Sequence, residues 1–370
     1  MHLRPLPILA AAIASLAFMS CSGDSDALPD GTSGTATASV TAVPTPTTAP
    51  TSATPGAGSE STTSPGVTPA PAFEPALEAY PVAAGSRPHD VAPAADGGVW
   101  YTGQGNGTLG WLDPASGEVR EIALGPGSAP HGVIVGADGA AWVTDGGQNA
   151  IVRVDPDDDE VQVFPLPPER PNANLNTAAF DGGGRLWFTG QNGIYGVFDP
   201  GTEEMQVFDS PRGRGPYGIA GAPNGDVYFA SLAGSYLGAI DLGSGAVNEL
   251  EPPTAGSGVR RVWFDSSGDA WIAEWNAGQV ARYEPDSGEW TEWMLPGNAP
   301  RAYAVYVDEA DRVWLTDFGA NSITLFEPTT EAFTVFPLPA TPSNVRQLLG
   351  RPGEVWGAES AADSLVVIRY

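Results

Sequence analysis

Lysine is absent from this 370-residue chain, and cysteine occurs once, as Cys21. A single thiol excludes an intramolecular disulfide and any cysteine-built zinc cluster. Histidine is nearly as scarce: beyond the opening residues there are two, His89 and His131. All 16 basic residues are arginine and face 44 acidic ones, a formal net charge of −28 that argues against nucleic acid as a partner. No P-loop, dinucleotide fingerprint or serine-nucleophile motif is present. Beyond residue 20, no apolar run approaches the length of a membrane span.

The one apolar run sits at the front. Residues 1–20 carry Arg4 as their single charge and the apolar stretch 8–19, and they end against Cys21, the pattern of a bacterial secretory signal. The segment LAFMSC resembles a lipobox. Cys21 is therefore expected to be lipidated and to become the mature N-terminus, giving an exported lipoprotein facing outward from the cell membrane, or a secreted protein if the cysteine stays free. Residues 24–72 are almost entirely Ser, Thr, Pro, Ala and Gly, so 21–72 reads as a disordered tether that cannot bury a core. One domain follows, over 73–370.

That domain repeats. Trp100, Trp142, Trp187, Tyr228, Trp271, Trp314 and Trp356 recur at steps of 42, 45, 41, 43, 43 and 42 residues. A period in the low forties, with short alternating strands between Gly, Pro and Asp turns, predicts the four-stranded blade of a propeller. Seven units predict an all-β, seven-bladed ring, expected to be a monomer. In the second unit, strands A to D are expected over 131–135, 141–144, 150–154 and 160–166, with Trp142 and its equivalents packing between blades. After Trp356 the chain has room for strand C but not for strand D. The segment LEAYPVA, residues 77–83, matches the strand D pattern and is expected to close the last blade.

Strand direction alternates, so the start of strand A and the end of strand B share one face. The strand A starts there are His89, His131, Asn176, Tyr217, Arg260, Tyr303 and Arg346, with Arg87 and Arg301 two residues ahead of two of them. The strand B ends supply Asp145, Glu274, Asp317 and Glu359. Arg260 with Glu274, Arg301 with Asp317 and Arg346 with Glu359 read as ion pairs within blades, or as a site for an anion or acidic sugar. Trp275, Phe318 and Tyr303 add flat apolar surface suited to a sugar or aromatic ligand.

The segments RPHDV, APHGV and GPYGI, followed by WVTD, WIAEWNAG and WLTDFGAN, resemble the streptogramin B lyase family of seven-bladed propellers, over the whole ring. That resemblance implies Mg2+ and a β-elimination that opens a cyclic depsipeptide at its threonyl ester. It also implies that His89 and His131, one blade apart, are the catalytic pair, with Asp145 as a metal ligand or ring-orienting carboxylate. Two departures are visible. Ala129 stands where the family carries a glutamate, and this pair lies in the first two blades, whereas the family's lies near the end of the array. Two functions stay open: a metal-dependent lyase, or a lactonase or hydrolase, acting on an ester, lactone or cyclic peptide; and a non-catalytic propeller that binds a glycan, peptide or protein on the same rim.

Overall fold

In a computed structural model, residues 75–370 are described; the expected signal, Cys21 and the tether lie outside them. Those residues form 28 strands and no helix, arranged as seven antiparallel sheets of four. Blade 2 shows how the sequence produces a unit. Its strands are Pro130–Val135, Ala141–Asp145, Ala150–Val154 and Val161–Pro165. The inner strands are buried along nearly their whole length, and the outermost alternates between half-buried and exposed positions. That gradient follows from a blade packed between two neighbours and wetted only at its rim.

The strand B aromatic joins each blade to the next. Trp100 packs with Val133, Val143 and Val152 of blade 2, and Trp356 packs with Val91 and Tyr101 of blade 1. Burial of each indole requires a partner for its N–H. Trp187, Trp271 and Trp314 donate to Asp181, Asp265 and Asp308 of the preceding turn at 2.8–2.9 Å. Threonine two residues after the aromatic adds a second stitch. Thr102 donates to the main-chain oxygen of His131 at 2.7 Å, and Thr144 and Thr189 donate likewise to Asn176 and Tyr217, each in the next blade.

The ring closes across the termini. Strand Ala76–Pro81 pairs antiparallel with Ser364–Arg369, in register from Ala76 with Arg369 to Pro81 with Ser364, and supplies the fourth strand of blade 7. Its apolar side chains face inward: Leu77 joins the core between blades 6 and 7, and Tyr80 lies 5.5 Å from Trp356. Inner strands then contact one another around the whole circle, including Pro88–Pro93 of blade 1 with Val345–Arg351 of blade 7.

One irregularity recurs in every blade. Between strands A and B the register slips by one residue at the start of strand A, as between Pro88 and Val91 in blade 1 and between Pro130 and Gly132 in blade 2. Such a bulge sets two residues opposite one and turns a side chain that a regular strand would point away. It falls at His89 and Asp90, and at their equivalents around the axis.

Candidate functional site

In blade 1 the bulge brings neighbouring side chains together: His89 Nδ1 and Asp90 Oδ1 are 2.8 Å apart. Asp90 also meets Arg261, from blade 5, at 3.0 and 3.4 Å, so a buried ion pair spans the axis of the ring. Burial raises the Asp90 carboxyl above the usual carboxylate range against the pull of Arg261 and His131. Burial alone would lower Arg261, but Asp90 keeps its guanidinium charged. The His89 ring lies against His131 of blade 2, with centroids 3.7 Å apart and planes at 41°. Both rings are buried, His89 at 1% exposed and His131 slightly less enclosed at 6%.

The strand A starts of the other blades complete a packed mouth. Tyr217 stands edge-on to His131 at 5.8 Å, and its hydroxyl hydrogen-bonds to that of Tyr303. The Arg260 guanidinium lies 4.4 Å from the Tyr217 ring centre, 3.6 Å from Tyr303 and 4.8 Å from Trp275. Tyr303 stacks on Phe318 at 4.6 Å, and Trp275 meets both edge-on. Trp275, Phe318 and Tyr303 thus come together, but Tyr303 is buried against Arg260 and offers no face to a ligand. Arg346 donates from Nε to Ser360 Oγ at 2.9 Å and lies 3.5 Å from the Tyr303 hydroxyl.

Several expected partners are arranged differently. Asp145 stands apart from the histidines. Its carboxylate accepts from the main-chain N–H groups of Ala129, Gly147 and Gln148 at 2.9–3.0 Å and from the Ser128 hydroxyl at 2.5 Å. A short acid at that position ties the loop before strand A to the end of strand B, and Asp317 does the same for the N–H groups of Arg301 and Gly319. The Arg301 side chain lies over Trp275 at 5.5 Å. Arg87 is exposed, with its main-chain N–H held by Asp363 of blade 7. Glu274, one carbon longer than Asp145, is buried with neither oxygen accepting a full hydrogen bond. Burial, partly offset by the nearby Ser257 hydroxyl, pushes its carboxyl up to about 7. Glu359 is likewise buried at the matching place in blade 7.

Among the described residues, the metal-ligating atoms that converge are those of His89, Asp90 and His131, all within 4.8 Å of one another. Two imidazoles and one carboxylate are the donors of a borderline ion such as Zn2+; Mg2+ takes a shell of oxygens. Here the single carboxylate is already bonded to Arg261 and His89. Sequence reasoning found the histidines from the PH repeat but missed Asp90 and Arg261. The available signal was the aspartate of RPHDV, standing where APHGV and GPYGI carry glycine.

Comparison with known proteins agrees with this architecture. The sequence pattern described as the virginiamycin B lyase family matches residues 70–287 and 204–367. A solved virginiamycin B lyase from Staphylococcus aureus superposes with a TM-score of 0.74 at 20% identity, over 80% of this chain and 100% of its own. A catalytically inactive form of that lyase, with quinupristin, gives 0.74 at 21% identity over the same shares. The propeller YCF48, bound to a D1 peptide, gives 0.64 at 17% identity over 80% of this chain and 96% of its own. At these identities the superpositions establish the fold. No curated protein matches the chain.

Proposed function

Because the chain belongs to the virginiamycin B lyase family, we propose that it cleaves a carbon–oxygen bond of a cyclic ester or depsipeptide by elimination, with His131 as the base. The observation that carries this reading is the buried relay behind His131: its ring rests on His89, His89 is held by Asp90, and Asp90 is held by Arg261. A neutral imidazole suits proton abstraction near pH 7, and a fixed neighbour limits the orientations it samples.

In the proposed step, His131 takes the proton from the carbon beside a carbonyl. The electron pair left behind forms a double bond to the next carbon, the bond from that carbon to the ester oxygen breaks, and the ester leaves as a carboxylate. Negative charge builds on the carbonyl oxygen meanwhile and calls for a fixed positive group. Arg346 supplies it in this reading: it sits at the same mouth, in the blade beside His89, near enough to Asp90 that its charge, with those of Arg261 and His131, opposes the burial that raises the Asp90 carboxyl. No step passes through Mg2+, because the donor set does not suit that ion. We place the protein outside the cell membrane, tethered through Cys21.

Assay of the wild type and of His131→Ala on a streptogramin B ester and on simpler cyclic esters, with Mg2+ and with chelator, tests the proposal. The variant should lose orders of magnitude in rate while stability changes by about 1 kcal/mol, and chelator should change nothing. Turnover that survives the mutation sinks the base assignment, and turnover abolished by chelator sinks the metal-free step. The competing reading, a non-catalytic propeller binding a peptide or glycan, is favoured by one observation: the mouth is filled by its own Tyr217, Arg260 and Tyr303. Binding without turnover on any ester would select it.

A further inference from the structure

The seven inner strands run from the histidine mouth to the opposite face, and their chemistry changes on the way. At that far end Ala92, Ile134, Phe180, Ile219, Trp263 and Leu349, from six different blades, surround a cavity of about 320 Å³. No charged side chain lines it. Beneath it lies a narrower, partly open cavity of about 30 Å³ that shares Ile134, Ile219, Trp263 and Leu349 and reaches Asp90, Arg261 and Gln347 at its inner end. That volume accommodates about two waters. The Asp90–Arg261 pair thus separates the histidine mouth from an apolar funnel at the other end of the same axis.

The funnel is unusual for this chain. Among the described residues the large apolar side chains well exposed to solvent are Val163, Met294 and Val335, scattered on outer strands. At the funnel, by contrast, half-buried Ile134, Phe180, Trp263 and Leu349 gather around one concavity, with Tyr306 backing Trp263 at 5.3 Å. Main-chain polar atoms stand between these side chains, and a recess walled by apolar and aromatic side chains with a few polar groups is the usual form of a small-molecule site.

We propose that this far mouth of the axis is a second ligand site, taking one small, uncharged, apolar molecule of aromatic or short aliphatic character. Its volume lies at the low end of ligand pockets and leaves no room for a helix of a partner protein, which is 10–12 Å across with side chains. Charge on the ligand is disfavoured because no wall residue would compensate its desolvation. The site does not depend on the elimination chemistry, which lies at the other face.

The test uses the full chain and N-phenyl-1-naphthylamine, an uncharged probe that fluoresces in apolar surroundings. Saturable binding of one probe per chain is expected. Ile134→Glu and Leu349→Glu should each weaken it by roughly tenfold or more, because they place a carboxylate in the funnel, while Val163→Glu on an outer strand should not. The sulfonated analogue 8-anilino-1-naphthalenesulfonate should bind at least roughly tenfold more weakly for the same reason. If a glutamate variant loses its cooperative melting transition, Leu349→Trp, which fills the space without charge, must block the probe instead. Unsaturable binding, retention in the funnel variants, or equal affinity for the sulfonate overturns the proposal.

Discussion

One residue beyond each strand A start, the seven blades carry Asp90, Gly132, Thr177, Gly218, Arg261, Ala304 and Gln347. Where this residue is glycine, the next blade comes close: a Cβ on Gly132 would lie 2.6 Å from the Asn176 oxygen, and one on Gly218 2.7 Å from the Arg261 Cα. Blade 1 gives up that close approach and gains a carboxylate on the axis. Exchange of one residue type also separates Glu274 from Asp145 and Asp317. The shorter acids reach main-chain N–H groups, whereas Glu274 is buried without them, and its carboxyl is raised from 4.5 to about 7. Between those values the folded state holds a proton that the unfolded chain releases, so stability should fall as pH rises from about 4.5 to about 7 and stay reduced above it. Glu274→Gln should remove that slope and stabilise the protein at pH 8 by up to roughly 3 kcal/mol. Urea midpoints of both proteins between pH 4.5 and 8 measure this, and parallel profiles would show that the Glu274 carboxyl does not titrate as described. The sequence showed which acids stand at the strand B ends, but not which of them reach a partner, because one methylene decides it.

Strands were more legible than side-chain contacts. Expected limits of 131–135, 141–144, 150–154 and 160–166 for blade 2 differ from the observed strands by one residue at most at each end, because alternation and turn residues act locally. The Asp90–Arg261 pair was not legible: its partners are 171 residues and four blades apart, and only the bulge turns Asp90 toward the axis. Ring closure could be read by counting strands, and it carries a consequence for stability. Removing residues 73–84 takes away Leu77 and Tyr80, leaves Ser364–Arg369 as an open edge, and strips Glu78 from Arg369. The truncated chain should lose roughly 2–4 kcal/mol from apolar burial alone and unfold as one unit at a lower urea midpoint. If it melts like the parent, that strand is not what holds the ring shut.

For the whole molecule, the proposed tether to a membrane depends on Cys21. The net charge of −28 repels anionic lipid, and among the described residues no helix is long and apolar enough to cross a bilayer. If Cys21 is acylated, Cys21→Ser should move the protein from the membrane fraction to the soluble one, as fractionation and labelling with a radioactive fatty acid would show. Equal retention of the mutant would mean that some other surface holds it.

The bulge at the start of strand A occurs in all seven blades, and this has a consequence for how such proteins are compared. Each spoke offers the hub the same pair of outlets, so an angular position, rather than a place in the chain, defines where a functional group stands. A pair of histidines one spoke apart, as His89 and His131 are, would therefore have the same geometry at any of the seven phases around the hub. A residue-by-residue alignment would read any such rotation as the loss of a site. Rotating one ring against another, one-seventh of a turn at a time, is the comparison that such symmetry allows.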